Sequence, residues 1–197
     1  MIGLTGGIAS GKSTVSKRLR ELGALVFDAD EVSRGIIARE DVLESIREAF
    51  GEGVFKADGS LDRAALAKAA FRSDEDAERL NGITHPAIMD EILKRASEAD
   101  GSRPVFVDAA LLIESGFYRY CDSIWLITAD KETRILRVMS RDGMSREEAL
   151  DRIERQMSDE EKRIYCDTVI ENDGSYNELI EKVDEAYEKE FPRDDEE

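Results

Sequence analysis

Among 197 residues there are one histidine, two cysteines, three prolines and one tryptophan. A single histidine makes the common zinc sets and a Ser-His-Asp hydrolase poor fits. Cys121 and Cys166 are too few for a disulfide framework and show no metal-ligand spacing. Basic residues are in deficit, with 28 Lys plus Arg against 45 Asp plus Glu and a net charge of −17. Such a surface repels phosphate backbones, so no nucleic-acid partner is expected. No apolar run approaches the ~18–20 residues that span a bilayer, and the N-terminus lacks the basic, apolar and small-residue succession of a secretory signal. The expectation is a reduced, cytoplasmic globular protein with no membrane association and no obligate protein partner.

What is present is a succession of short apolar runs between helical patterns. Met1–Thr5, Ala24–Phe27, Pro104–Asp108, Ser123–Thr128 and Thr168–Ile170 read as five buried strands. Lys12–Leu22 carries Val15, Leu19 and Leu22 at helical spacing. This order predicts an α/β fold with a five-stranded parallel sheet flanked by helices. Between the second and third strands lie about seventy residues of helical pattern. Asp41–Phe50 forms one helix, and Leu61–Phe71 a second with Ser60 as its N-cap. Ser73-x-x-Asp76 opens a third helix, and Pro86 the first turn of a fourth that carries Ile88, Ile92 and Ala96. A second helical insertion, Lys131–Tyr165, breaks at Asp142-Gly143, and Arg193–Glu197 reads as a solvated acidic tail.

Gly6-Gly7-Ile8-Ala9-Ser10-Gly11-Lys12-Ser13-Thr14 satisfies the P-loop pattern G-x-x-x-x-G-K-[ST], with a strand before it and a helix beginning inside it. Glycines let backbone N–H groups converge on an anion, and the helix N-terminus adds partial positive charge. Lys12 can then reach the β- and γ-phosphates and the Ser13 hydroxyl can ligate Mg²⁺. The motif alone does not choose between ATPase, GTPase and kinase. No N-K-x-D guanine motif is present and the chain is short for a motor ATPase, while a helical insertion after strand two suits a small-molecule kinase.

Further stretches narrow this. Leu4–Val15 followed by Asp28-Ala29-Asp30 resembles the opening of the dephospho-CoA kinase family. Asn81-x-Ile83-x-His85-Pro86-x-Ile88 is similar to that family's substrate-domain motif. Leu111-Leu112-Ile113-Glu114 resembles its Leu-Leu-Phe-Glu stretch, and Arg137-x-x-x-Arg141-Asp142-Gly143 with Gln156 resembles its lid. Asn172–Ser175 looks like its last motif. The likeness runs from Met1 to about Tyr187. One departure is Asp108-Ala109-Ala110, where the family commonly has Asp-Val-Pro.

The resemblance implies a P-loop kinase core with an inserted helical acceptor domain and a helical lid. The parts are core residues 1–31, acceptor domain 32–101, core 102–130, lid 131–165 and core 166–197. The implied reaction moves the γ-phosphoryl of ATP, with Mg²⁺, to the ribose 3′-hydroxyl of dephospho-CoA. Another nucleoside or small-metabolite kinase on the same scaffold is the alternative, and a nucleotide-sensing module without transfer activity a more distant one. Gly6, Ala9, Ser10, Gly11, Lys12, Ser13 and Thr14 would hold the nucleotide, joined by Arg137, Arg141 and Asn172. Asp30 would orient the hydroxyl and accept its proton, with Lys12 and Arg141 neutralising phosphate charge. Asp28, Asn81, His85 and Leu111 would meet the acceptor, and Ser13 and Asp108 the metal. Arg137 and Arg141 share a helix face with no carboxylate three or four residues away, which suggests an anion clamp. Arg134, Arg152 and Arg155 are instead expected to form surface pairs with Asp130, Glu148 and Asp151. Trp125 and Phe106 are expected in the core.

Overall fold

The computed structural model describes residues 1–100 and 102–192, so the expected tail at Arg193–Glu197 lies outside the described residues. The chain divides into two compact units, Met1–Phe27 with Ser102–Glu197, and Asp28–Gly101.

The first unit is built on β1 (Ile2–Gly6), β2 (Leu25–Asp28, at its boundary), β3 (Val105–Asp108), β4 (Ser123–Thr128) and β5 (Thr168–Glu171). They form one sheet in the order β2-β3-β1-β4-β5. β1 runs parallel to both β3 and β4, and β4 parallel to β5, with Leu4 opposite Asp108 and Trp125. After β1 the chain feeds strands to one side and later to the other, so the C-terminal end of β1 is a switch point, where open α/β sheets bind ligands. The central strands β1 and β4 are buried on both faces, and Leu4, Phe106, Trp125 and Ile127 pack with Val15 and Leu19 of α1 (Lys12–Glu21). Phe106 and Trp125 meet edge to face at 5.2 Å. Burying each such side chain is worth about 1.5–3 kcal/mol, and both aromatics are core as expected.

The expected insertion at 131–165 breaks after Asp142 and contains a third helix besides the two amphipathic ones. α6 (Lys131–Asp142), α7 (Arg146–Glu154) and α8 (Asp159–Arg163) follow β4. Ser145 with Glu148 and Ser158 with Glu161 form capping boxes that start α7 and α8. Ile135, Val138, Ala149 and Ile153 make a small apolar cluster against Ile8. A further helix, α9 (Tyr176–Glu190), was not expected. It is started by a Ser175–Glu178 capping box and covers the sheet with Leu179 and Val183.

The second unit contains α2 (Ala29–Ile36), α3 (Glu40–Phe50), α4 (Arg63–Ala70) and α5 (Asp74–Asp100), the first three packed on α5. Two expectations are corrected here. Asp62, not Ser60, caps α4, accepting from the Ala64 and Ala65 amides. Pro86 does not start a helix; it lies inside the 27-residue α5. A helix-interior proline costs about 3 kcal/mol, but Pro86 sits on the exposed face while Thr84, His85, Ile88 and Ile92 beside it are buried. Burial of that stripe outweighs one lost backbone bond. Among the described residues no helix is long and apolar enough to cross a membrane.

Candidate active site

The loop between β1 and α1 is held from outside by donors aimed at its carbonyls. Arg134 Nε donates to the Ile8 carbonyl at 2.9 Å, and Arg137 to the Ala9 carbonyl at 3.2 Å. Asn172 Nδ2 donates to the Ser10 carbonyl at 2.7 Å, while Gln156 Oε1 accepts from the Ile8 amide at 2.7 Å. Three successive carbonyls are therefore satisfied by side chains, which fixes the loop backbone. Gly11 opens α1 at φ 102° with no side-chain cap and no acidic residue in the first turn. The first amides of that helix are left for an anion. A Cβ on Gly7 would collide with the Arg134 guanidinium.

Lys12 at the start of α1 forms an ion pair with Asp108 at the end of β3, and the Ser16 hydroxyl donates to the same carboxylate. The pair is largely buried, so each partner compensates a charge that would be costly alone. The sequence expectation gave Lys12 to the phosphates and Asp108 to the metal, and the structure brings the two into contact.

Beside the loop opens a cleft of about 610 Å³ lined by Ala9, Gly11, Ser13, Thr14, Arg137, Arg141, Asn172 and Tyr176, among others. That size suits a nucleotide-scale ligand. Leu136 and Tyr176 offer exposed apolar surface at its wall. Both expected clamp arginines line it, but neither is unmated. Arg141 makes a bidentate pair with Asp142 at 2.7 and 2.9 Å, a neighbour one residue on, and Arg137 also donates to the Asn172 carbonyl at 3.1 Å.

Two arginine assignments fail. Arg134 is buried, 6% exposed, and faces Asp159 at 3.4 Å, because Asp130 is spent capping α6 at the Thr133 amide. Burial lifts the Asp159 carboxyl above its ordinary range despite Arg134. Arg152 pairs with Asp142, not Glu148, whose carboxylate closes the capping box. Arg155 does pair with Asp151. Asn172, expected to help hold the nucleotide, lines the cleft but spends its amide on the Ser10 carbonyl.

The remaining expected residues occupy other places. Leu111, after β3, is exposed. Asp28 accepts from the Glu31 amide and so caps α2, and Asp30 lies in that helix's first turn. Asn81 and His85 stand four apart on α5, which continues through both, and burial holds the His85 imidazolium pKa below its ordinary value. Sequence reading missed the buried Lys162, which pairs with Glu114 at 2.9 Å. A lysine among Asp159, Glu160, Glu161 and Arg163 gave no sign of burial. Cys121 and Cys166 have thiols pushed up to about 11 by burial, which leaves them protonated at neutral pH.

A P-loop at a sheet switch point, an adjoining nucleotide-sized cleft and two cleft arginines define a P-loop phosphotransferase. The sequence matches the dephospho-CoA kinase family over residues 1–178. A Geobacter sulfurreducens dephospho-CoA kinase is 47% identical over 195 residues, covering 98% of this chain and 99% of that protein. Two solved structures are similar: a Thermus thermophilus protein, 38% identical with a TM-score of 0.76 and 96% of each chain covered, and dephospho-CoA kinase from Campylobacter jejuni, 29% identical with a TM-score of 0.63 and 95% of each covered. The chain belongs to the dephospho-CoA kinase family.

Proposed function

We propose that the chain transfers the γ-phosphoryl group of ATP to the ribose 3′-hydroxyl of dephospho-CoA, giving CoA and ADP, the last step of coenzyme A biosynthesis. The observation that carries this reading is family membership across nearly the whole chain. The P-loop with its Lys12–Asp108 pair supplies the chemistry. The resemblance at Asn81–Ile88 and Leu111–Glu114 favours this reading over other small-metabolite kinases on the same scaffold.

Loop amides and the start of α1 bind the β- and γ-phosphates. Lys12 exchanges Asp108 for phosphate oxygens as ATP enters. Arg141, and Arg137 beside it, neutralise charge on the transferring group. The 3′-oxygen attacks γ-phosphorus, the β,γ-bridging bond breaks towards ADP, and the hydroxyl proton passes to Asp30. A carboxylate is a weak base towards an alcohol, so Asp30 contributes mainly orientation. Segment 32–101 serves as the acceptor domain, with Asp28, Asn81, His85 and Leu111 towards dephospho-CoA, and 131–165 as the lid.

The donor set fits Mg²⁺. Ser13 is exposed in the cleft and Asp108 lies beyond Lys12. Among the described residues no group of three or more His, Cys, Asp or Glu could cage a metal. That suits an ion held mostly by phosphate and water. Both Asp108 oxygens accept in the free site, from Lys12 and Ser16, and the release of Lys12 to phosphate would leave Oδ1 for the ion, directly or through water. Bound Mg²⁺ supplies charge neutralisation on the phosphates. We place the enzyme in the cytoplasm, acting on a small molecule without a nucleic-acid, membrane or obligate protein partner.

Phosphorus NMR of the product tests the chemistry. A new phosphomonoester on the 3′-carbon, equal in amount to ADP, is expected. Phosphate on another hydroxyl, or ADP without a phosphorylated acceptor, would overturn the reading.

A further inference from the structure

Lys162 on α8 is 0% exposed, the least expected burial of any charged side chain in the described chain. Its ammonium donates to two acceptors that both come from the segment after β3. These are the Ala110 carbonyl at 3.1 Å and the Glu114 carboxylate at 2.9 Å. Burying an ammonium is costly unless paired, so this geometry is over-determined in favour of whatever it holds. The Ala110 carbonyl also accepts from the Thr5 hydroxyl of β1 at 3.3 Å, and the Ala109 amide donates to the Leu4 carbonyl at 3.0 Å. Glu114 accepts from the Met157 amide at 3.2 Å, which ties the same segment to the start of α8. Two residues before Ala110 stands Asp108, the partner of Lys12 and Ser16. Ala110 has no ring to restrict its backbone, so the hold on its carbonyl comes from Thr5 and Lys162.

We propose that Lys162 is a positioning residue for phosphoryl transfer: its buried ammonium, shared between Ala110 and Glu114, fixes the Asp108–Ala110 turn and so holds the Asp108 carboxylate opposite Lys12. Lys162 touches neither nucleotide nor acceptor in this scheme; it acts through the backbone of Ala110. The kinetic consequence rests on the kinase reading above, whereas the structural one does not.

Three variants separate positioning from a merely structural ion pair. Lys162→Met leaves Glu114 charged and unpaired, and it should lose thermal stability as well as rate. The double variant Lys162→Met with Glu114→Leu removes both charges, so stability should return towards the parent. The Ala110 carbonyl still lacks its ammonium donor there and keeps only the longer Thr5 bond, and kcat should stay down about tenfold or more, because small misplacements of a reacting group are expensive. Glu114→Gln keeps the Lys162–Ala110 bond. Amide hydrogen exchange in the ligand-free protein gives a readout independent of substrate. Ala109 should exchange about tenfold faster or more in both variants that lack Lys162, and within about threefold of the parent in Glu114→Gln.

Recovery of kcat and of Ala109 protection along with stability in the double variant would overturn the proposal. So would Glu114→Gln loosening Ala109 as much as Lys162→Met. If the parent does not phosphorylate dephospho-CoA, the function reading fails, yet the exchange pattern still decides whether Lys162 holds the Asp108 turn.

Discussion

Gly11 and Asn172 should be coupled through the Ser10 carbonyl, and the coupling can be sized. Gly11 sits at φ 102°, and a Cβ there would lie closer to Asn172 Nδ2 than the 3.0 Å that real Cβ atoms observe. Gly11→Ala therefore carries two costs. Left-handed backbone in an L-residue costs roughly 1–2 kcal/mol. Expelling the Asn172 amide, 7% exposed, breaks its 2.7 Å bond and orphans the Ser10 carbonyl, about 1–3 kcal/mol. Asn172→Ala incurs only the second cost. In the double variant that second cost is incurred once, so the two effects fall short of adding by about 1–3 kcal/mol. The assay is urea unfolding followed by fluorescence of Trp125, the single tryptophan, fully buried in β4. In thermal terms the Gly11→Ala loss corresponds to roughly 2–4 °C per kcal/mol for a chain of this size. Additivity within about 0.5 kcal/mol would refute the claim that Asn172 supports the loop at this carbonyl.

Arg137→Met should orphan the Ala9 and Asn172 carbonyls and remove the cation proposed for the phosphates, weakening ADP binding about tenfold or more by calorimetry; unchanged affinity would deny Arg137 that role. Asp30→Asn should abolish transfer with ADP affinity within about twofold, since orientation of the hydroxyl and not nucleotide binding is lost; surviving transfer contradicts the assignment. Asp159 gives a pH test. Its carboxyl is raised in the fold, so its favourable contribution is present below about 3.9 and is lost as pH rises through the folded value. The stability of Asp159→Asn relative to the parent should therefore improve from pH 4 towards 7, read from urea midpoints; a flat difference would show that burial does not dominate Arg134 at this carboxyl.

The five strands were legible because each is a short apolar run between helical patterns, and the P-loop because its chemistry fixes residue types at fixed spacing. Helix boundaries were less so. Pro86 argues locally for a helix start, but α5 runs through it because the buried stripe on either side is worth more. α9 was overlooked among its charges although Ser175-x-x-Glu178 announces it. The site divides in the same way. Lys12, Arg137 and Arg141 could be named from motif and spacing. Arg134 could not, because Asp130 suggested a surface pair, and Lys162 was not singled out at all; their partners, Asp159 with Ile8 and Glu114 with Ala110, are set by tertiary folding. Asp28 shows a further limit: by resemblance it was assigned only to the acceptor, and its capping of the next helix emerges from the fold.

The most direct test of the kinase account is ADP formation from Mg²⁺-ATP across a panel of acceptors: dephospho-CoA, adenosine, AMP, cytidine, shikimate and water alone. The account predicts rapid ADP release with dephospho-CoA only, matched mole for mole by CoA. Faster turnover with another acceptor would contradict the substrate, and no stimulation by any acceptor despite ATP binding would contradict the enzyme.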